Sequence, residues 1–263
     1  MNHKYLTIFV LGFAALLCGP SKAVAQLSSF SVLGGSTVTN TDTPTVVTGN
    51  LGVSPGSAVT GFPPGIVVGG TIHAADAAAA QAQNDLTTVY NNLANTACDT
   101  DLTGQDLGGK TLTPGVYCFS NSAQLTGTLT LDAQGNPNAV FIFKIGSSLT
   151  TASASSVLLI NSGSSCGVFW QVGSSATLGT GSALLGSIVA LQSITLNTGA
   201  SVSGRALARN GAVTLDNSNV TLCSGGPGLP LSVAIPTLSG WAMILLTGLL
   251  ILSGLAVLRR RAA

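Results

Sequence analysis

The sequence predicts a mainly β protein, a solenoid of stacked coils with one long α-helix beside it. Short apolar runs recur through residues 102–222, separated by turns rich in Gly, Ser and Thr. One alanine-rich segment, residues 73–96, instead carries apolar side chains at helical spacing. The chain contains 33 glycines, yet only 6% of its residues are charged. That composition suits stacked repeats, which need many tight turns and little charge.

The first element along the chain is an export signal rather than part of the fold. Residues 1–25 combine a lysine near the start, an uncharged, mainly apolar run at 6–18 and the small-x-small sequence Ala-Val-Ala at 23–25. The run is too short for a membrane-spanning helix, which needs about 20 residues. The pattern is typical of a cleaved signal peptide, so we expect the exported chain to begin at Gln26.

A single amphipathic helix is predicted over residues 73–96. Its apolar stripe consists mostly of small side chains, with alanine, the strongest helix former, at three of its positions, and no Gly or Pro interrupts the segment. At 1.5 Å per residue the helix is about 35 Å long, and its small side chains suit close packing along a flat β surface. His73 is the one histidine that follows the signal peptide. We interpret it as a residue at the helix start rather than a base or a metal ligand.

Threonines recur at equivalent places in the repeat, as when residues 176–181 are compared with residues 194–199. Stacked coils place equivalent residues about 4.7–4.9 Å apart, so these side chains predict ladders on one outer face. Because side chains alternate along a strand, Leu178, Leu196 and Leu215 are expected to point inward. The predicted ladder residues are Thr150, Ser153, Thr177, Thr180, Thr195, Thr198, Thr214 and Asn217.

Four cysteines follow the signal peptide: Cys98, Cys118, Cys166 and Cys223. An even number in an exported protein indicates two disulfides, for which three pairings are possible. We favour Cys98–Cys118, which closes a short loop after the helix, together with Cys166–Cys223. Four buried thiols are the alternative. Neither a metal nor a cofactor is expected, because the chain has no C-x-x-C pair and only one histidine accompanies the cysteines.

The C-terminal end carries a second targeting signal. Residues 241–258 contain no charge and are long enough to span a membrane. The arginines at 259–261 follow at once and are expected on the cytoplasmic side. The motif just upstream is Ile235, Pro236, Thr237 and Leu238.

These features together resemble the IPTL-type C-terminal sorting tail of Gram-negative bacteria, which implies recognition by a membrane sorting enzyme. A plain single-pass anchor is the alternative. We therefore expect a protein of the cell envelope or exterior, anchored in the membrane at least transiently. The predicted organisation is a signal peptide at 1–25, a solenoid domain at 26–223, a linker at 224–234 and the tail at 235–263.

The charge pattern argues against nucleic acid as a partner. Four basic and eight acidic residues lie between positions 26 and 236, a net charge of −4, whereas phosphate binding needs a basic patch. Arg205 and Arg209 are interpreted as residues that solvate the rim of the solenoid.

Enzymatic chemistry is not predicted. Residues 52–56 match the G-x-S-x-G pattern, but that motif needs a helix directly after the serine, and Pro55 disfavours one. Asp99, Asp101 and Asp106 cluster near a cysteine without a full calcium-loop pattern. We assign these carboxylates to turns and caps.

Several segments resemble the ice-binding protein-like family of bacteria, fungi and microalgae, and the similarity extends from Phe30 to Cys223. The segments include residues 33–40, 48–53, 112–117, 140–143 and 204–208. The resemblance implies a discontinuous right-handed β-helix of triangular section with one long helix alongside. It also implies an ice-contacting face with the pattern Thr-Ala/Gly-x-Thr/Asn. This chain departs from that pattern, because its second position is Leu in 177–180, 195–198 and 214–217.

The ladders and the resemblance together predict a monomeric protein that binds ice. Ice offers only a periodic array of waters, so a complementary surface must be flat, rigid and periodic. Threonine supplies a hydroxyl for hydrogen bonding and a β-branch that stiffens its rotamer. The alternative is a structural or adhesive module without ice affinity, since threonine is common in strands. An unbroken face of Thr and Ser side chains would favour the ice-binding hypothesis. A face interrupted by Leu215, Asp216 or bulky groups would favour the adhesive module.

Overall fold

The computed structural model describes residues 27–41, 44–223, 225 and 228–230. The predicted signal peptide, sorting motif and membrane-spanning segment 241–258 lie outside these residues. Within them, no helix is long and apolar enough to cross a membrane. The described chain is mainly β, with parallel sheets and one long helix, α1 (Ala77–Asn95).

The strands are short, and each one pairs in parallel with its neighbours. They are β1 (Phe30–Gly34), β2 (Thr37–Asn40), β3 (Val46–Thr48), β4 (Asn50–Val53), β5 (Ala58–Thr60), β6 (Ile66–Val68), β7 (Ile72–Ala74), β8 (Thr100–Asp101), β9 (Thr111–Leu112), β10 (Gly115–Phe119), β11 (Ala123–Leu125), β12 (Thr128–Asp132), β13 (Phe141–Ile145), β14 (Leu149–Thr151), β15 (Ser156–Ile160), β16 (Val168–Val172), β17 (Ala176–Leu178), β18 (Ala183–Ala190), β19 (Ile194–Leu196), β20 (Ser201–Ala208), β21 (Val213–Leu215) and β22 (Asn219–Thr221).

The stack is assembled from two separate stretches of chain. Strands β8–β22 form successive coils, and the N-terminal strands continue the stack beyond the last of them. There β1 pairs with β20, β2 with β21 and β3 with β22. After β7, helix α1 carries the chain back to β8 at the opposite end. The order of the coils in space therefore differs from their order in sequence.

The strands fall into three faces. Face A contains β8, β10, β13, β16, β1, β4 and β7 with the second halves of β18 and β20. Face B is the seven-stranded sheet β11–β14–β17–β19–β21–β2–β5. Face C contains β9, β12, β15, β22, β3 and β6 with the first halves of β18 and β20. Helix α1 packs on face A through Ala82, Leu86, Val89 and Leu93, so faces B and C are left uncovered by it.

The helix begins later than its sequence pattern predicts. It starts after Asp76, whose side chain caps it by accepting a hydrogen bond from the Ala79 amide at 2.8 Å. Residues 72–74 instead form β7, which pairs with β4, and Ala75 turns the chain with a positive φ of 52°. The assignment of His73 to the helix start is therefore wrong, because sheet pairing overrides helix propensity there.

The interior is filled by inward side chains of successive coils. Leu178, Leu196 and Leu215 are all fully buried, as the alternation along the strands predicts. Burying one such side chain is worth about 1.5–3 kcal/mol. Phe143 stacks on Trp170 with ring centroids 4.0 Å apart. The core is thus a column of layers, one for each coil.

Both predicted disulfides are confirmed. Cys98–Cys118 joins the segment after helix α1 to β10. Cys166–Cys223 joins a short 3-10 helix (Ser165–Gly167) to the segment after β22. Each bond restrains a junction between the solenoid and a neighbouring segment, which limits the conformations of the unfolded chain.

One prediction about charge is wrong. Arg205 does not solvate the rim: it is only 7% exposed on face A, and this burial lowers its pKa to about 10. Its guanidinium donates to the Ser28 carbonyl at 3.0 Å and lies 3.4 Å from Cys223 Sγ. Arg209 is half-buried and lies over the ring of Tyr90, 4.8 Å from its centroid. Both arginines therefore pack against neighbouring parts of the fold.

Candidate functional site

Face B presents one outward residue from the middle of each strand, and these residues form a continuous line. Its members are Gln124, Thr150, Thr177, Thr195, Thr214, Thr39 and Thr60, in that spatial order. We call this line the threonine column. Six consecutive threonines at a strand spacing of about 4.8 Å extend over roughly 24 Å. The predicted Thr150, Thr177, Thr195 and Thr214 therefore do lie on one line.

The column forms because threonine alternates with buried residues in each strand. In β19, Ile194 and Leu196 are fully buried and flank the half-exposed Thr195. In two coils, the inward-pointing residue that directly follows the threonine of the column is polar. One of them is Thr151, whose Oγ1 accepts a hydrogen bond from the Gly179 amide at 2.9 Å. Asn40 Nδ2 similarly donates to the Gly61 carbonyl at 3.0 Å, so both side chains reinforce the stacking of coils.

A second line of small side chains precedes the threonine column. It contains Ser122, Ser148, Ser175, Ser193, Ala212, Thr37 and Ala58, by extension of the strand register. We call it the serine column. Several of its hydroxyls support the next coil: Ser193 Oγ accepts from the Ala212 amide at 3.2 Å, and Ser175 Oγ accepts from the Ser193 amide at 3.3 Å. These bonds hold the serine side chains close to the backbone and keep this part of face B even.

The other predicted ladder lies at the corner between faces B and C. The Ala154 amide donates to the Thr180 carbonyl and the Gly181 amide to the Thr198 carbonyl, which aligns Ser153, Thr180 and Thr198 in the stack. All three residues are exposed. They therefore form an edge to the threonine column rather than a second line in the middle of the sheet.

Asn217 does not continue this edge. The Gly199 amide donates to the Asp216 carbonyl, and the Thr198 hydroxyl donates to the Asp216 carboxylate, so Asp216 stacks on Thr198. Asn217 has a φ of 47° and occupies the turn position held by Gly199, whose φ is 74°. The offset arises because this corner is one residue shorter: Thr195 pairs with Thr214, whereas Ser201 pairs with Asn219.

No bulky side chain interrupts the middle of face B in the part of the chain that the structure describes. Leu215 is fully buried and points into the core, and Asp216 is half-buried at the corner. Within the described part of face B, neither the threonine column nor the serine column contains a charged side chain. Gln124 is the one long polar side chain, and it lies at the end of the threonine column.

Sequence reasoning missed the N-terminal part of this surface. Thr39 pairs with both Thr214 and Thr60, and the Thr60 hydroxyl donates to Thr39 Oγ1 at 3.2 Å. The sequence does contain a signal for this part of the surface. A β-branched apolar residue precedes a threonine in Val38-Thr39-Asn40 and Val59-Thr60-Gly61, as it does in Ile194-Thr195-Leu196. Only the return of the chain along helix α1 reveals that these segments adjoin the repeat.

The other polar clusters serve the structure. Asp106 Oδ1 accepts from the amides of Gly108 and Thr126, and Asp101 Oδ1 accepts from the Thr103 amide, as expected of turn residues. No metal-binding cluster occurs among the residues that the structure describes. A cavity of about 530 Å³ lies beside the helix end, bordered by residues including Tyr90 and Lys144. It is separate from face B.

His73 lies in a short chain of polar groups. Its Nε2 is 2.9 Å from Thr71 Oγ1, and its Nδ1 is 2.7 Å from Asp76 Oδ2. The order resembles a hydrolase relay, but Asp76 also caps helix α1 and the cavity lies elsewhere. The Ala79 amide, followed by the His73 hydrogen bond, lowers the pKa of Asp76. These contacts connect β7 to the helix start.

Comparison with known proteins agrees with this geometry. Residues 32–221 match the family model described as ice-binding-like, and residues 233–262 match the IPTL-CTERM motif. The curated ice-binding protein of Nostoc sp. (strain HG1) is 56% identical over 227 residues, which cover 84% of this chain and 83% of the relative.

Solved structures show the same likeness. An ice-binding protein from an Antarctic biological consortium is 44% identical with a TM-score of 0.73, covering 76% of this chain and 90% of the other. The ice-binding protein of the Antarctic ascomycete Antarctomyces psychrotrophicus is 37% identical, also with a TM-score of 0.73, covering 77% and 98%. The family match spans most of the fold, including all strands of face B. The chain therefore belongs to the ice-binding-like family and ends in an IPTL-CTERM sorting motif.

Proposed function

We propose that this protein binds ice through face B, as a monomer and without covalent chemistry. The observation that carries the proposal is the unbroken run of six threonines from Thr150 to Thr60. Hydrogen-bonded strands set its spacing, so the hydroxyls recur at regular intervals on a stiff support. The family's implied architecture, a right-handed β-helix of triangular section, supports a flat face of this kind.

The chemistry of the column suits ordered water better than a solute. Each hydroxyl can both donate and accept a hydrogen bond, while the adjacent methyl group restricts where water can lie. The β-branch holds the side chain near one rotamer, so the positions of these groups repeat from coil to coil. We infer that water ordered along face B joins the ice lattice and that the adsorbed protein slows crystal growth. Thr180, Thr198 and Ser153 would extend the contact at the corner.

The attachment to the cell is proposed to leave face B free. Leu229 is buried in the seam between helix α1 and face A, and Asn92 Nδ2 donates to the Pro230 carbonyl at 2.8 Å. The chain therefore leaves the solenoid on the helix side. We propose that the segment at 241–258 then anchors the exported protein in the membrane, at least until a sorting enzyme acts on the motif. Protease treatment of intact cells or spheroplasts should remove the solenoid, and its protection in spheroplasts would contradict this topology.

Ice-affinity partitioning tests the main proposal. A chain of residues 26–230 is mixed with growing polycrystalline ice, and the fraction in the ice is compared with that of a non-binding control protein. We expect enrichment in the ice, and unfolding the protein by heat and reduction should abolish it. Equal distribution with the control would contradict ice binding.

An adhesive module is the second candidate function. It is favoured by large apolar side chains exposed on face C, where Leu158 is 51% and Ile66 50% exposed. Under this hypothesis face C, not face B, contacts a partner surface. Failure to enter ice, combined with binding to cell-envelope material that is lost in Leu158→Ser, would support it.

A further inference from the structure

A buried arginine on face A has no acidic partner among the described residues. Arg205 is 7% exposed, and its guanidinium donates to the Ser28 carbonyl at 3.0 Å and to Ser187 Oγ at 3.4 Å. Both partners are neutral, and its Nε has no hydrogen-bond partner in the described part of the chain. Burial lowers the pKa of Arg205 to about 10, so the group is still charged at neutral pH. A buried cation without a counter-ion is costly, so its remaining contact is informative.

The remaining contact of this guanidinium is with a disulfide sulfur. Arg205 Nη1 donates to Cys223 Sγ at 3.4 Å, the one hydrogen bond to a sulfur atom among the residues that the structure describes. A disulfide sulfur is a neutral and weak acceptor, whereas a thiolate carries the negative charge that the guanidinium lacks. An opposite charge this close favours the ionised form of a thiol. When the disulfide is open, the arginine therefore favours Cys223 as a thiolate.

The elements around this contact contain no other described cation and one carboxylate. Strand β20, which carries Arg205, packs against β1, β18, β22 and the 3-10 helix Ser165–Gly167, and none of these contains a charged residue. Helix α1 also packs on face A and turns the carboxylate of Asp85 inward. That carboxylate accepts from Gln81 Nε2 at 2.8 Å and forms no ion pair with a described residue, and burial raises its pKa. The charge next to Cys223 is thus that of Arg205.

The two sulfurs of the Cys166–Cys223 bond differ in their surroundings. Cys166 is only 7% exposed, and its backbone amide donates to Ser164 Oγ at 3.2 Å. Burial away from a cation disfavours a thiolate. Cys223 is half-buried in the segment after β22 and is the sulfur that the guanidinium contacts. An external reagent therefore reaches Cys223 more readily, and the charge makes the same sulfur the better nucleophile.

We propose that Cys223 is the reactive thiol of this pair and that it attacks an external disulfide, such as that of a thiol–disulfide oxidoreductase, when the bond closes. The Cys223 thiolate forms a bond to one sulfur of that disulfide, and the second sulfur leaves as a thiolate. Cys166 then loses its proton to solvent and attacks Cys223 Sγ, which releases the remaining external thiolate. The external disulfide is reduced to two thiols, and the two cysteines are oxidised.

The assembled fold holds the arginine in place, which sets the order of these events. Ser28, whose carbonyl accepts from Arg205, is 177 residues away in sequence. Ser187 lies on the neighbouring strand β18, and Cys223 follows β22. Arg205 is therefore aimed at Cys223 once the C-terminal coils have stacked and the first residues of the solenoid lie on face A. Activation of the thiol follows this assembly, and the bond closes last.

Single substitutions within the pair provide the test. Cys166→Ser and Cys223→Ser each leave one free thiol in the full chain, which is purified in detergent with Cys98–Cys118 intact. The rate of alkylation by iodoacetamide across a range of pH, read by peptide mass mapping, gives the pKa of that thiol. We expect Cys223 to titrate below the ordinary value of about 8.5 and Cys166 to titrate at or above it. An ordinary or higher pKa for Cys223 in the folded variant would overturn the proposal.

Arginine substitutions in the Cys166→Ser chain separate charge from structure. Arg205→Gln should return the pKa of Cys223 to its ordinary value and slow its alkylation near neutral pH about tenfold, the factor that corresponds to one pKa unit. Arg205→Lys keeps the charge and should retain a lowered pKa. Arg209→Gln is the matched control, because it removes a half-buried cation that lies over Tyr90, and it should change neither quantity. The same Cys223 pKa with and without the Arg205 charge would contradict the proposal.

Mapping of mixed disulfides in the unsubstituted chain decides the matter if the variants do not fold. The reduced protein is mixed with oxidised glutathione and quenched with acid at successive times, and peptide masses show which cysteine carries glutathione. Within the pair, glutathione should appear first on Cys223 and disappear as the bond to Cys166 forms. Its first appearance on Cys166 would contradict the proposal. None of these readouts involves ice, so they are independent of the proposed function.

Discussion

Faces B and C are formed by the same coils with the same parallel stacking, yet only face B repeats one side chain. The corresponding outward line on face C runs Thr128, Ser156, Ala183, Ser201, Asn219, Val46 and Ile66. The β-branch preference of strands acts on both faces alike. This preference therefore does not explain why threonine is repeated on face B and not on face C. A requirement specific to face B would explain the difference.

The most direct test of the difference between faces B and C is to place one bulky side chain on each face. Thr195→Tyr puts an aromatic ring in the middle of the threonine column, where it holds ice away from neighbouring coils. Partitioning into ice should fall to the level of a non-binding protein. The melting temperature should hardly change, because the site is solvent-facing and surface substitutions usually stay within about 0.5 kcal/mol.

The matched control is Ala183→Tyr, at an exposed position of face C on a neighbouring coil. Its partitioning should equal that of the parent. If Thr195→Tyr still enters ice and Ala183→Tyr does not, the functional face has been assigned wrongly.

The second prediction extends the comparison to the N-terminal coils. Thr39→Tyr should also reduce partitioning strongly, though less than Thr195→Tyr, because Thr39 lies nearer the end of the column. Val46→Tyr, on face C of the same coil, is the control and should have no effect. An unchanged Thr39→Tyr protein would restrict the functional surface to the C-terminal repeat.

A smaller effect is expected in the serine column. Ser193→Ala removes a hydroxyl that accepts from the Ala212 amide at 3.2 Å but leaves the face flat. Partitioning should decrease partially, and stability should fall by about 0.5–1.5 kcal/mol, the usual net value of one hydrogen bond. Chemical denaturation measures the second quantity, and complete loss of ice binding would show that this column matters more than the threonines.

The smallest effect is expected at the shortened corner. Asn217→Gly replaces one residue that tolerates positive φ with another that adopts it freely. Ice partitioning and melting temperature should both remain close to those of the parent. A marked loss of partitioning would show that Asn217 contacts ice, which its position in the turn does not predict.

Sequence predictions hold where the repeat is regular and local. Thr177, Thr195 and Thr214 follow one another with buried leucines at the next position, so the strand period placed them correctly. The disulfides were also correct. Asn217 was misplaced because its spacing from Thr214 imitates that from Thr195 to Thr198, whereas the shorter corner is visible only in the strand register.

The remaining errors share a physical cause, which is pairing between distant parts of the chain. Residues 72–74 fit a helical pattern in the sequence, but they form a strand because β4 pairs with them. Arg205 looks like a surface residue until residues 27–28 and helix α1 cover face A. Thr39 could be assigned to face B only once β2 was known to lie beside β21. Local propensity does not contain such information.

The discontinuous order of the coils also governs when each part can fold. If the predicted signal peptide exports the chain from its N-terminus, the N-terminal coils emerge before their template, β20–β22. The hydrogen bond from Thr41 to Leu215, for example, joins residues 174 positions apart. Contacts between residues so far apart in sequence form late, because the entropy of closing a long loop must be lost before these contacts contribute any stabilising free energy. We expect the C-terminal coils to stack first and the earliest-exported segment to be added last. Under that order of export, we expect the first strands to be still unpaired when they emerge.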